Sequence, residues 1–154
     1  MTTYEFYLKR AMYWCSRREM CTSDIQKRLQ EAGVNDEIIK KIISKLVEDN
    51  FIDEKRFAHA YVHDKLAFQK WGLAKIEHAL LVKKISPEFI SKALQVIDKE
   101  EYIKKLTVIA LQKRKSIKAE NEFVRDKKLL CFLASKGVSA ADAFKILNKI
   151  NNKE

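Results

Sequence analysis

The chain of 154 residues carries a formal net charge of +10, is 47 % hydrophobic, and contains three glycines and one proline. So little glycine and proline leaves few residues for the turns of a β protein, and no apolar run approaches the roughly 18 residues that cross a bilayer. The N-terminus, MTTYEFYLKR, lacks the basic region and apolar block of a secretion signal. We therefore expect a soluble, cytoplasmic, helical protein without membrane contact.

The first fifty residues predict three helices. Tyr4, Tyr7, Leu8, Ala11 and Trp14 recur at helical spacing and give the first helix one apolar face. A second helix is predicted to begin at a capping box of Ser23 and Gln26 and to end at Gly33. A third is predicted to follow Asn35, whose side chain can accept a hydrogen bond from a free N–H at a helix start.

The same order of elements follows twice more. Asp53 is a predicted N-cap of the next helix, and Ser86 is the predicted N-cap of a helix in which Pro87 occupies the first position, where a missing N–H costs nothing. Ser139 is the predicted N-cap of the last helix. Residues 113–123 fit the end of a long helix, a loop, or both.

Three segments with the same residue pattern underlie this recurrence of helices. They are AGVNDEIIKKII (32–43), KKISPEFISKAL (83–94) and KGVSAADAFKIL (136–147). A spacing of about 50 residues is typical of repeated helical units that bury their apolar faces against neighbours. We predict an all-α fold of nine helices in three tandem three-helix repeats, 1–52, 53–100 and 101–154, in an elongated, curved array.

Positive charge is concentrated in the last repeat. The formal net charges of the three predicted repeats are +1, +2 and +7, and most of the excess lies around KRKSIK (113–118) and RDKK (125–128). Such clusters attract nucleic-acid phosphates, although a solvated lysine-rich surface is an equal alternative. The candidate phosphate-binding residues are Lys113, Arg114, Lys115, Lys118, Arg125, Lys127 and Lys128.

No pattern predicts catalysis, a metal or a cofactor. His59 and His63 are four residues apart, but no third ligand follows from the sequence. The three cysteines form no C-x-x-C pair and are predicted to be buried or half-buried thiols. A helix-turn-helix that reads base sequence is not expected either, because acidic residues in the first turns of the predicted helices would repel phosphates.

Three stretches resemble the bacterial RecX regulatory proteins in order and spacing. They are WCSRREMCTSDIQKRLQEAG, LVEDNFIDEKRFAHAYVHDKL and WGLAKIEHALLVKKISPEFISKAL. The resemblance is strong over about residues 7–98 and rests on the helical pattern alone in the last third. The positions that match the family motif are Arg17, Arg18, Asp53, Arg56, Phe57, Trp71 and Gly72.

The resemblance implies a non-enzymatic modulator that lies in the groove of the RecA filament on DNA and inhibits RecA ATPase, recombinase and strand-exchange activity. It implies a role in recombinational DNA repair and the SOS response, with the RecA filament and single-stranded or duplex DNA, bound through its phosphates, as partners. We expect the protein itself to be a monomer. Arg17, Arg18 and Arg56 are the motif residues we expect to make contacts. Asp53 is expected to serve the fold as a cap, Phe57 as core and Gly72 as a turn.

Two departures from the family pattern stand out. Met20 and Cys21 occupy positions where the family commonly has Arg and Ser, and Lys84 replaces the glycine found as Gly33 and Gly137 in the other repeats. Two alternatives to the RecA regulator stay open: a stand-alone nucleic-acid-binding helical protein that contacts phosphates without sequence preference, and a protein-only scaffold.

Overall fold

The computed structural model describes residues 1–152, so residues 153 and 154 of the predicted third repeat lie outside the described range. Within it the chain forms nine α-helices and one π-helical segment and no strand, which confirms the predicted all-α fold and its helix count. The elements are α1 Thr3–Arg17, α2 Thr22–Glu31, α3 Asp36–Glu48, α4 Glu54–Asp64, the π-helical Lys65–Gln69, α5 Leu73–Val82, α6 Pro87–Gln95, α7 Lys99–Ser116, α8 Glu122–Ser135 and α9 Ala140–Asn152.

The predicted caps of α3, α6 and α9 are confirmed. A backbone N–H two or three residues further on donates to the side chain of Asn35 (2.9 Å), Ser86 (3.2 Å) and Ser139 (3.2 Å). Pro87 is the first residue of α6, as its spacing from Ser86 predicted. Asp53 likewise accepts a hydrogen bond at the start of α4 from the N–H of Arg56, at 3.0 Å. These bonds satisfy donors that have no partner within the helix.

The predicted capping box of α2 is wrong. This helix begins at Thr22, so Ser23 lies inside its first turn, and the residue preceding the helix is Cys21. The N–H of Cys21 donates to a carboxylate oxygen of Asp24 at 3.3 Å. Cys21 is fully buried, and its hydrogen bond with Asp24 lies two residues before the predicted cap Ser23, which accounts for the earlier start of the helix.

The turns before α3, α6 and α9 share a left-handed residue. Gly33 has φ +81° and Gly137 φ +91°, and Lys84 has φ +64° at the equivalent position, as predicted. The following residue is a buried aliphatic in each turn, and its N–H bonds to a carbonyl five residues back. A lysine has thus kept the backbone conformation of the glycine that it replaces.

The chain forms two compact units. Unit 1 consists of residues 1–61 and 80–93, and unit 2 of residues 62–79 and those from 94 on. The residues of the predicted second repeat, 53–100, are therefore shared between the units, and the division into three repeats stays a prediction.

Each unit has its own buried cluster of apolar side chains. The unit 1 cluster comprises Ala11, Met20, Ile25, Leu29, Val34, Ile39, Ile42, Leu46 and Ile52. The unit 2 cluster comprises Tyr102, Ile103, Leu106, Ala110, Leu129, Leu133, Val138, Ala143, Ile146, Leu147 and Ile150. Among residues 1–152 no helix combines the length and the hydropathy needed to span a membrane.

Gly72 serves the fold by close approach rather than as a turn. Its N–H donates to the carbonyl of Lys136 at 2.6 Å, and a Cβ added to it would lie 2.3 Å from the backbone of Gly137. Only a residue without a side chain fits there, because real Cβ atoms are not found so near a backbone carbonyl. The expectation that Gly72 serves as a turn residue is therefore wrong.

Candidate nucleic-acid and partner interface

The first basic cluster lies at the C-terminal end of α7, which ends at Ser116. Lys113 and Lys115 are exposed, and Arg114 is half-buried. The ammonium of Lys113 lies 5.1 Å from the ring centroid of Phe132. Cations at this end of a helix also stabilise its dipole, so the cluster supports α7 while presenting charge to solvent.

The second basic cluster follows a short loop. The uncertain segment 113–123 proves to be both helix and loop, since α8 begins at Glu122 after the cap of Asn121. Lys128 donates to the carbonyl of Lys118 at 2.7 Å. The side chains of both lysines line an open cleft of about 620 Å³, together with Ala119, Glu120 and Val124.

The other two candidates on α8 differ in exposure. Arg125 is half-buried and lies 3.4 Å from a carboxylate oxygen of Asp126. Lys127 is exposed, with no carboxylate at ion-pair distance among the described residues. Lys127 is therefore available to a phosphate, whereas Arg125 already has a partner.

The three motif arginines are placed differently from one another. Arg17 ends α1, with its guanidinium 6.0 Å from the ring centroid of Tyr13, and Arg18 follows in extended conformation; both are exposed. Arg56 instead donates from Nε to both carboxylate oxygens of Glu19, at 2.7 Å each. The structure therefore assigns Arg56 a role in holding unit 1 together, and leaves Arg17 and Arg18 as the more accessible cations.

Arg56 also reaches the turn between α3 and α4. Its second terminal nitrogen donates to the carbonyls of Asn50 at 3.1 Å and Phe51 at 3.4 Å. The hydrogen bond with Glu19 and the charge of that carboxylate raise the pKa of Arg56. The pairing with Glu19 was missed from the sequence because the two residues are 37 positions apart.

The expected fold roles of two further motif residues are confirmed. Asp53 caps α4, and Phe57 is 4 % exposed. Trp71 is half-buried, and the ammonium groups of Lys65 and Lys75 lie 4.7 and 4.6 Å from its ring centroid. Nothing in the sequence singled out these lysines, since they approach one ring only after the chain bends between α4 and α5.

A polar cluster in unit 1 was also missed. Asp24 accepts a hydrogen bond from Lys83 at 2.6 Å, and Glu54 accepts one from the N–H of Thr22 at 3.4 Å. Burial alone would raise the pKa of Asp24, but the ammonium of Lys83 outweighs it and lowers that pKa. Burial raises the pKa of Glu54, and the charge of Asp24 adds to the effect. The hydrogen bonds and the ion pair of this cluster stabilise unit 1.

The thiols and imidazoles differ in exposure. Cys15 is half-buried and Cys21 buried, and burial raises the pKa of both thiols. Cys131 is exposed, so the prediction that every thiol would be at least half-buried is wrong there, because that face of α8 points away from the core. His63 lies 3.2 Å from Asp64, and no group of three potential metal ligands occurs among residues 1–152.

Comparison with known proteins gives consistent matches. Residues 53–94 match the family model of the second three-helix domain of RecX. A regulatory protein RecX of Clostridium tetani is 34 % identical over 129 residues, covering 82 % of this chain and 58 % of that protein. One from Clostridium acetobutylicum is 28 % identical over 151 residues, covering 96 % of this chain and 70 % of that protein. The chain thus spans somewhat more than half the length of the C. tetani relative.

Two solved structures share the fold. The crystal structure of RecX from Lactobacillus salivarius has a TM-score of 0.80 at 20 % identity and covers 96 % of each chain. A second crystal structure of a regulatory protein RecX has a TM-score of 0.84 at 25 % identity, covering 94 % of this chain and 71 % of that one.

Proposed function

The chain belongs to the RecX family of regulatory proteins, and from that premise we propose that it binds a RecA filament assembled on DNA and inhibits ATP hydrolysis and strand exchange by RecA. The observation that carries the proposal is the similarity to a regulatory protein RecX over 82 % of the chain. A regulator of this kind acts by binding and not by catalysis.

The distribution of charge supports a filament as the target. A filament offers a protein surface and a row of phosphates together, and the last predicted repeat carries a net charge of +7 against +1 in the first. Contacts from several parts of one chain reinforce each other, because the first raises the effective concentration of the next. Binding to the filament is therefore expected to be tighter than to RecA or DNA alone.

The proposed contacts fall into two sets. Arg17 and Arg18 would contact the filament from the end of α1, where both side chains are exposed. Lys113 and Lys115 would contact phosphates from the C-terminal end of α7, and Lys127 from the N-terminal half of α8, where all three are exposed. Arg56 and Arg125 are proposed to act through the fold, since each already has a carboxylate partner.

The test is DNA-dependent ATP hydrolysis by the RecA of the same organism, with DNA in excess so that competition for the strand is excluded. Hydrolysis is expected to fall as the protein is added and to level off at saturation. Replacing Arg17 and Arg18 together with Ala is expected to weaken inhibition. The matched control replaces Lys9 and Arg10 with Ala, since these are exposed on the same helix and remove the same charge.

Unchanged hydrolysis and strand exchange at saturating protein would overturn the proposal. Salt-sensitive DNA binding in that case would favour the stand-alone nucleic-acid-binding protein. Loss of inhibition that is equal in the two double variants would show that net charge, and not the end of α1, determines the effect.

A further inference from the structure

The chain between α4 and α5 has an unusual backbone. After α4 it continues into the π-helical segment Lys65–Gln69, and Lys70 then adopts the left-handed conformation with φ 56° and ψ 41°. The N–H groups of Lys70 and Trp71 both donate to the carbonyl of Lys65. Helical turns of the π type are rare and occur frequently at functional sites, and a left-handed lysine is strained. The two features together indicate that this segment has a function besides connecting α4 to α5.

The residues that follow are anchored within unit 2. The N–H of Gly72 donates to the carbonyl of Lys136 at 2.6 Å, and that of Ala74 to the carbonyl of Gly137 at 3.0 Å. Because Gly72 lies directly against Gly137, the backbone next to Trp71 is packed closely against the turn before α9. The indole thus projects from an anchored part of the backbone.

The indole lies beside two lysines, in a segment that also carries an exposed phenyl ring. The ammonium groups of Lys65 and Lys75 lie 4.7 and 4.6 Å from its ring centroid, and Phe68 is 73 % exposed. Lys70 is exposed as well, and residues 65–75 contain three lysines. A phenyl ring so exposed contributes little to a core. An exposed aromatic ring in a segment with several lysines offers a stacking face and positive charge to an aromatic polyanion.

We propose that Lys65, Phe68, Lys70, Trp71 and Lys75 form a binding site for single-stranded DNA, hereafter the Trp71 site. An unpaired base stacks on the phenyl ring of Phe68, and the lysines bind the adjacent phosphates, two of them positioned by the indole. A duplex is not the ligand, because its bases are stacked on one another and offer no free face. The inference rests on the proposed function, since it names the DNA strand of the filament as the ligand of this site.

The experiment separates stacking from charge by comparing two probes. Oligothymidylate carries bases and phosphates, and an abasic oligomer of the same length carries phosphates alone. Both are titrated into full-length protein with Trp14→Phe, which leaves Trp71 as the only tryptophan of the chain. We expect oligothymidylate to quench the Trp71 fluorescence and to bind more tightly than the abasic oligomer, by roughly 5- to 150-fold for one stacked base.

Variants assign the effect to single side chains. Phe68→Ala is expected to remove the preference for oligothymidylate and to leave binding of the abasic oligomer unchanged. Phe123→Ala is the matched control, since that ring is 77 % exposed elsewhere in unit 2, and it should change neither affinity. The double substitution of Lys70→Gln and Lys75→Gln should weaken the binding of both probes. It should also lower the slope of log affinity against log salt by about 0.7 for each lost contact.

Equal affinity of the two probes, or a Phe68→Ala variant that keeps the preference, would overturn the Trp71 site. Binding of polyglutamate that depends on Phe68, without binding of oligothymidylate, would overturn it as well and indicate an acidic protein segment as the ligand. Inhibition of RecA is measured on the same samples. Inhibition without base preference would support the proposed function and refute the Trp71 site. Base preference without inhibition would support the Trp71 site and refute the proposed function.

Discussion

At the scale of single residues, the hydrogen bonds of the side chains differ in how far apart along the chain their two partners lie. Asn35, Ser86 and Ser139 were identifiable as caps because the bonded N–H lies two or three positions away. The pairing of Arg56 with Glu19 depends on residues that meet only in the folded chain. Arg56 was therefore predicted to be a contact residue, whereas in the structure its guanidinium is paired with the carboxylate of Glu19.

Lys84 is expected to be a strained residue. A left-handed conformation costs a side-chain-bearing residue about 1 kcal/mol relative to glycine, and Lys84 has φ +64°. Lys84→Gly should therefore raise the free energy of unfolding by up to about 1 kcal/mol. Asn50→Gly, at φ +62°, is the control and should gain less, because asparagine tolerates this conformation. Denaturant unfolding measures both free energies of unfolding. A clear decrease for Lys84→Gly would indicate that the Lys84 side chain makes a stabilising contact.

Asp24 and Glu54 are expected to affect stability with opposite signs. The pKa of Asp24 in the folded protein is lowered, so its stabilisation is present above its unfolded pKa of about 3.9 and disappears as the pH falls through the lower folded value. Asp24→Asn should cost about 1–3 kcal/mol at pH 7, because Lys83 loses its charged acceptor, and progressively less at acid pH.

The pKa of Glu54 is raised, so protonation favours the folded state and stability is lost as the pH rises through the folded value. Glu54→Gln should consequently stabilise the protein at pH 7 and have no such effect at acid pH. Unfolding curves between pH 3 and pH 7 test both variants together. A pH-independent loss for Asp24→Asn would assign its role to packing instead of charge.

At the scale of elements, periodicity and caps located every α-helix but did not show how the helices connect. The π-helical segment Lys65–Gln69 was missed because its apolar residues do not depart visibly from α-helical spacing. The start of α2 was misplaced because the burial of Cys21 overrides a favourable local capping pattern. Gly72 was recognised as a motif residue, yet the backbone that excludes its side chain lies 65 positions further along the chain.

Replacing each of the three glycines with Ala should destabilise the protein to a different degree. The substitutions differ in whether the residue has a positive φ, too little space for a Cβ, or both. Gly33 has φ +81° and free space around an added Cβ, so Gly33→Ala should cost about 1 kcal/mol from backbone conformation alone. Gly72→Ala should cost about 1–3 kcal/mol or more through overpacking against Gly137.

Gly137→Ala combines both causes, since φ is +91° and the added atom would meet Lys75, and it should be the most destabilising of the three. Thermal or denaturant unfolding gives the order. A loss for Gly72→Ala no larger than for Gly33→Ala would show that the junction of Gly72 and Gly137 opens easily.

At the scale of the whole molecule, the proposed function depends in large part on the positive charges of the last third of the chain. Deleting residues 101–154 to remove them would also remove partners of residues 62–79: the Tyr102 hydroxyl accepts a hydrogen bond from Leu73 N–H at 3.0 Å, and Lys136 accepts one from Gly72. Such a deletion is expected to unfold this part of unit 2 and would not isolate the charges. Substitution of exposed lysines leaves both buried clusters intact.

The proposed phosphate contacts of the last third can be tested in this way. Lys113, Lys115 and Lys127 are exposed, and their joint replacement with Gln should weaken binding to oligothymidylate and lower the slope of log affinity against log salt by about 2, at about 0.7 for each lost contact. The matched control replaces Lys27, Lys40 and Lys41 with Gln; these are exposed in unit 1 and remove the same charge. Its slope should stay close to that of the unaltered protein, because local contacts and not the net charge release counterions. Equal slopes for the two triple variants would instead indicate that the basic clusters of α7 and α8 are a solvated surface without phosphate contacts. The proposed binding to the filament would then depend on Arg17, Arg18 and the Trp71 site.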